Sequence, residues 1–121
     1  MRNVPWAVIY HDAFAPELEA LPEAVQDALL TAVSVLVECG PMLGRPHVDT
    51  LSGSKYANMK ELRFSADNGV WRVAFAFDPK RQGIVLVAGD KSGVAQKRFY
   101  KSLMTRADDR YAAHLETLKD S

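Results

Sequence analysis

The chain has a single cysteine, Cys39, so no internal disulfide framework can staple the fold, and the thiol fits a reducing compartment. Cys39 lies in an apolar run near a helix end, where it reads as a small buried hydrophobe. Neither sign of charge is in excess. With 15 basic and 15 acidic residues the formal net charge is +0, so there is no global footprint for nucleic acid and any such binding must rest on local clustering. No stretch approaches the ~20 apolar residues of a membrane span, and the opening MRNVPWAVIYHDAF has too short an apolar run for a signal peptide. The expectation is a cytoplasmic protein. No Cys/His cluster has metal-ligand spacing, no Gly-rich loop leads from a strand into a helix, and there is no nucleophile elbow. Neither metal nor cofactor is expected. Repeats, linkers and low-complexity segments are missing too, and 121 residues that are 48% hydrophobic make one domain, residues 1–121.

What is present is periodicity. Trp6 to Tyr10 predicts a short strand, and the HDAFAPE after it has the Asp and Pro of a helix start. Apolar residues at Leu18, Leu21, Val25, Leu29, Ala32, Val33 and Leu36 recur at helical spacing, predicting one helix, or two meeting near Pro22, ended by Gly40-Pro41. Val35 and Val37 lie off that stripe and mark either deeper core or a partner face. Residues 41–57 have the Gly, Pro and Ser of a surface loop. Three strands follow, with turns at 65–69 and 78–83. Ile84 to Ala88 is apolar throughout, as expected of a strand covered on both faces. A last helix over about 95–119 carries Leu103, Met104, Ala107, Tyr111, Leu115 and Leu118 at helical spacing. The order β-α(α)-β-β-β-α gives a small antiparallel-meander sheet packed with helices, an α+β architecture.

The meander carries cations. Leu62 and Phe64 share one strand face and Glu61 and Arg63 the other, because side chains alternate along a strand. Trp71, Val73, Phe75 and Phe77 form the apolar set of the next strand, leaving Arg72 opposite, beside Ala74. An arginine from each of two neighbouring strands can therefore project from one non-core surface, and two guanidiniums together suit a phosphate. Glu61, on the face of Arg63, also offers that arginine a structural ion pair.

The KELRF strand, the G-x-W-R-V strand, the IVLVAG strand ending in Asp90-Lys91 and the basic helix start QKRFYK, in that order over nearly the whole chain, resemble the RelE/ParE superfamily of bacterial toxins. Within it, the HigB-like, phage-derived branch is the nearest likeness. The resemblance implies the toxin of a type II toxin–antitoxin system, usually a ribosome-dependent messenger RNA endoribonuclease, or mRNA interferase, cutting in the ribosomal A site without a metal. It implies three kinds of partner: a cognate helix-turn-helix antitoxin, messenger RNA on the ribosome, and operator DNA reached only through the antitoxin. No membrane is implied. Arg72 matches the phosphate-contacting arginine, Lys91 stands where a basic residue stabilises the transition state or leaving oxygen, and Arg63 and Tyr100 complete the implied catalytic set. Lys97, Arg98, Lys60 and His47 are the implied RNA contacts. The chain departs from the pattern twice: Ser92 replaces the second of a basic pair, and Glu61 stands where some relatives carry lysine.

The chemistry makes its own demands. Cutting RNA without metal uses the ribose 2′-OH as nucleophile, so the protein must supply a base, an acid and cations. Tyr100, with an ordinary pKa near ~10, needs a cationic neighbour to serve as base, and can equally join the apolar stripe of its helix. His47 has an intrinsic pKa near ~6.5 suited to proton transfer but also reads as an exposed loop histidine, while His11 and His114 read as structural or solvent-facing. Two other functions use the same fold: a ParE-like inhibitor of DNA gyrase, and an inactive antitoxin-binding module.

Overall fold

The structure is a computed structural model that describes residues 4–119. In chain order it contains β1 (Val8–Tyr10), α1 (Ala15–Ala20), α2 (Glu23–Cys39), a 3-10 turn (Gly40–Met42), β2 (Val48–Thr50), β3 (Lys60–Ala66), β4 (Gly69–Phe77), β5 (Gly83–Asp90) and α3 (Gln96–Lys119). The five strands form one sheet ordered β1-β5-β4-β3-β2, with β1 parallel to β5 and every other pair antiparallel. The α+β meander is as the sequence predicts, with one addition. β2 lies in the stretch expected to be loop, held on the sheet edge by Val48 opposite Leu62. Three residues between Gly/Pro-rich and Gly/Ser-rich flanks are too few to show a period-2 pattern.

Both faces of the sheet are covered. Val25, Leu29, Val33 and Leu36 of α2 bury the predicted stripe against Leu62, Val73, Phe75 and Val85. On the other face α3 lays Phe99, Leu103, Ala107 and Tyr111 over Met59, Ala74, Ala76 and Leu86. This second core corrects the expectation that Arg72 leaves the sheet on a non-core face: Arg72 is 7% exposed and Glu61 6%. The small residues Ala74, expected on that non-core face, and Ala76 provide the room that lets a helix approach the sheet.

Local chemistry fixes the connections. Asp67 and Asn68 both have positive φ, +51° and +62°, as a two-residue primed hairpin between β3 and β4 requires. In β5 the register slips between Ala74 and Phe75 of β4, so Leu86 is bulged out and Leu86 and Val87 both face α3. Arg110 of α3 donates to the Leu86 carbonyl at 2.7 Å and to Glu17 of α1 at 2.6 and 2.8 Å, tying both helices to the bulge. The segment Glu23–Met42 does reach 20 residues at a mean hydropathy of 1.2, the length and composition of a membrane span; here its apolar stripe is packed on the sheet instead. Cys39 is exposed rather than buried, because it falls beyond Leu36, the last buried position of α2.

Candidate active site

The β3–β4 register sets Arg63 opposite Arg72 and Glu61 opposite Ala74, so the charged trio shares the face under α3. Tyr100, in the second turn of α3, closes over it. Its hydroxyl donates to Glu61 Oε1 at 2.7 Å and accepts from Arg72 Nε at 3.3 Å. Arg72 Nε also lies 3.3 Å from Glu61 Oε1, while its Nη1 donates to the Trp71 carbonyl at 2.9 Å. Glu61 therefore pairs with Arg72 on the neighbouring strand, and not with Arg63 on its own. Both partners are 8% exposed, and a buried charge pair of this kind needs the added Tyr100 bond to satisfy the carboxylate.

Arg63 is thereby left free. Its Nε is buried and has no hydrogen-bond partner among the described residues, and its side chain lines an open cleft of about 290 Å³ together with Glu61, Lys91, Tyr100, Gln96 and Asp49. Lys91 is positioned by its backbone. Its N–H donates to the Val70 carbonyl at 2.8 Å, and Asp90 beside it accepts from the N–H groups of Val70 and Ser92 and from the Ser92 hydroxyl at 2.6 Å. The Ser92 hydroxyl is the main cause that holds the Asp90 carboxyl below its ordinary range. Ser92, at the position where the family resemblance implies a second basic residue, caps the loop and occupies the Asp90 carboxylate. Asp49 is likewise engaged, by Arg45 at 2.7 Å. Arg63 and Lys91 form no ion pair among the described residues, although, after the Arg45 and Thr50 bonds, Arg63 is near enough to Asp49 to help hold its carboxyl below the ordinary range, so the cleft keeps two cations without a direct partner.

Tyr100 has its pKa raised, first by burial and then by its bond to Glu61. The phenol serves here as a donor to Glu61. Glu61 also lines the cleft, with its Oε1 fixed by Tyr100 and Arg72. The sequence carries the signal of Glu61 in the E-x-R alternation of KELRF, which also offers it Arg63 as an alternative partner.

The remaining expected residues lie apart. Lys60, on the parity of Leu62, points to the α2 face. Lys97 borders a different groove with Lys55 and Lys101, and Arg98 faces the space between α3 and β5. His47 is exposed, with its carbonyl accepting from the Arg63 N–H at 2.8 Å. His114, buried, bonds Asp78 at 2.7 Å near the β4–β5 turn, and His11 accepts from the Ala13 N–H through Nδ1.

A meander between two helical layers, with a cationic cleft under the start of its last helix, defines a RelE-type domain. Its closer kinship is direct: residues 16–112 match the family of phage derived Gp49-like proteins, and the chain belongs to that family as a HigB-like member. It is 42% identical over 105 residues to the candidate toxin HigB2 of Mycobacterium tuberculosis (strain ATCC 25618 / H37Rv), covering 86% of this chain and 52% of that protein. To the candidate toxin HigB3 of the same organism it is 44% identical over 91 residues, covering 75% and 77%. The chain thus spans about half the length of HigB2. Among solved structures, a free-state arginine mutant of the E. coli toxin RelE superposes with a TM-score of 0.58 at 13% identity, over 84% of this chain and 95% of that one, which shows the shared fold.

Proposed function

We propose that the chain is the toxin of a type II toxin–antitoxin pair and a metal-independent endoribonuclease acting on messenger RNA at the ribosome, in the cytoplasm. The observation that carries this reading is the cleft, where Arg63 and Lys91 stand without ion pairs beside the fixed carboxylate of Glu61. The names of HigB2 and HigB3 as candidate toxins support it.

The chemistry follows from the placement. Glu61 accepts the proton of a ribose 2′-OH as that oxygen attacks the adjacent phosphorus. The bond to the 5′ oxygen breaks, leaving a 2′,3′-cyclic phosphate, and the Lys91 ammonium delivers a proton to the departing oxygen. Arg63, a planar fork with its donors unspent, binds the nonbridging oxygens where charge builds up. Arg72 and Tyr100 hold the Glu61 carboxylate in position. Lys55, Lys97 and Lys101, around the groove beside the cleft, add sequence-independent contacts to the RNA backbone.

Induced expression with mapping of messenger RNA 5′ ends, scored beside plasmid supercoiling, tests the reading. New RNA ends that disappear with Glu61→Gln and Arg63→Ala are expected. Intact messenger RNA with altered supercoiling would assign the fold to gyrase inhibition instead.

A further inference from the structure

Along one stripe of α3, Met104, Asp108 and Tyr111 hold the segment that joins β2 to β3. Gly53 there has a φ of +98°, and a Cβ on it would stand 3.3 Å from the Met104 sulfur. Asp108 is 7% exposed and gives both carboxylate oxygens to this segment. One accepts from the Ser54 hydroxyl and the other from the Lys55 N–H at 3.0 Å. The Ser54 oxygen in turn accepts from the Tyr56 N–H at 3.0 Å, and the Tyr56 ring meets Tyr111 edge-on with centroids 4.8 Å apart. Asp108 forms no ion pair among the described residues. A buried carboxylate without a cation is costly unless its oxygens are bonded, and here both bonds are made to one loop. That loop borders two concave surfaces. Thr50 to Ser52 wall the cleft of Glu61 and Arg63, while Gly53 and Lys55 wall the neighbouring groove of about 410 Å³ with Lys97 and Lys101.

We infer that Asp108 is a positioning residue for phosphate binding: it latches the loop so that Lys55 stays beside Lys97 and Lys101. The inference rests on the endoribonuclease reading, in which RNA leaving the cleft meets this groove. All three lysines are exposed, and none forms an ion pair among the described residues. Like charges gathered around one groove repel one another. Lys97 and Lys101 are fixed by the helix that carries them, so the loop bearing Lys55 is the part that can yield. Asp108 binds that loop at the Lys55 backbone itself. The direction of the effect separates a latch from plain electrostatics. A carboxylate at the wall of a phosphate groove repels the phosphate, so removing its charge would by itself tighten RNA binding. Removing a latch weakens it, because Lys55 is no longer held ready.

The test measures binding of the whole chain to ribosomes carrying a messenger RNA, over a series of salt concentrations, with Glu61→Gln as the parent so that the message stays uncut. Lys55→Ala is expected to weaken binding several-fold and to reduce the slope of log Kd against log salt by about 0.7, the loss of one phosphate contact on a single strand. Asp108→Ala and Ser54→Ala should do the same. Asp108→Ala combined with Lys55→Ala should bind no more weakly than Lys55→Ala alone, because both changes remove one contact. Circular dichroism checks that each variant is folded, and Ser54→Ala, a change in the loop, decides the matter if Asp108→Ala does not fold. Tighter binding by Asp108→Ala, an unchanged salt slope in the folded latch variants, or losses that add in the double variant overturn the inference and leave the RNA reading standing. Failure of the Glu61→Gln parent to bind the loaded ribosomes overturns the messenger RNA reading, and the inference with it.

Discussion

Two arginines that sit opposite each other on adjacent strands have different physical situations. Arg72 is committed to Glu61 and Tyr100 inside the protein, whereas Arg63 has a buried Nε without a hydrogen-bond partner among the described residues. Alanine at the two positions should therefore separate chemistry from stability. Arg63→Ala is expected to abolish growth inhibition with little change in melting temperature, since no pair is broken. Arg72→Ala leaves Glu61 buried without its cation, a loss of about 3–5 kcal/mol, and is expected to melt distinctly earlier as well as to lose activity. Thermal unfolding of both variants beside a toxicity assay decides the matter. An unchanged melting temperature for Arg72→Ala would show that the buried pair contributes nothing to the fold.

At the level of elements, parity along a strand does not guarantee burial. Trp71 lies on the face of Val73 and Phe75, but near the start of β4 it is only half-buried and stacks on Phe64 with ring centroids 6.5 Å apart. Phe75, 1% exposed, sits under α2. Phe75→Ala should cost ~3–5 kcal/mol and Trp71→Ala clearly less, as denaturant titration can measure. The β4–β5 turn depends on Asp78, whose carboxylate accepts from the Lys80 and Gln82 N–H groups, the Gln82 side chain and His114. Burial alone would raise its pKa, yet these bonds outweigh burial and bring it below the ordinary value. A carboxyl depressed in the native state stabilises the fold above its unfolded pKa, near ~3.9, and that contribution is lost as pH falls through the native value. Urea unfolding should show stability falling below about pH 4, with a shallower fall in Asp78→Asn. Equal slopes for the two proteins would mean that Asp78 is not held by this network.

For the molecule as a whole, Glu17 joins α1 to α3 through Arg110 and Arg106 at 2.6 and 2.9 Å, so the two helical layers are linked around one end of the sheet. With a net charge of +0, the chain is not expected to hold operator DNA by itself. We expect a stable complex with a neighbouring helix-turn-helix protein, binding operator DNA only through that partner. Co-expression with size-exclusion chromatography checks this, and separate elution with unrelieved toxicity would remove its main support.

The sequence alone determined the order of every element except β2, the face of α2 that is buried and the parity of the charged residues, because periods of 2.0 and 3.6 are local properties of a strand and a helix. Strand parity likewise puts Arg63 and Arg72 on one face of the sheet, while Lys91 and Tyr100 join them through the family resemblance. Tertiary structure decided the rest. Ala74, Ala76 and Gly89 leave room for a helix without naming one, so only the docking of α3 made the face of Arg72 a second core. Glu61 has an arginine within reach on its own strand and another across the sheet. The choice between them fell to the Tyr100 hydroxyl, delivered from α3, which fixed Glu61 on Arg72 and left Arg63 beside Lys91 in the cleft without an ion pair among the described residues.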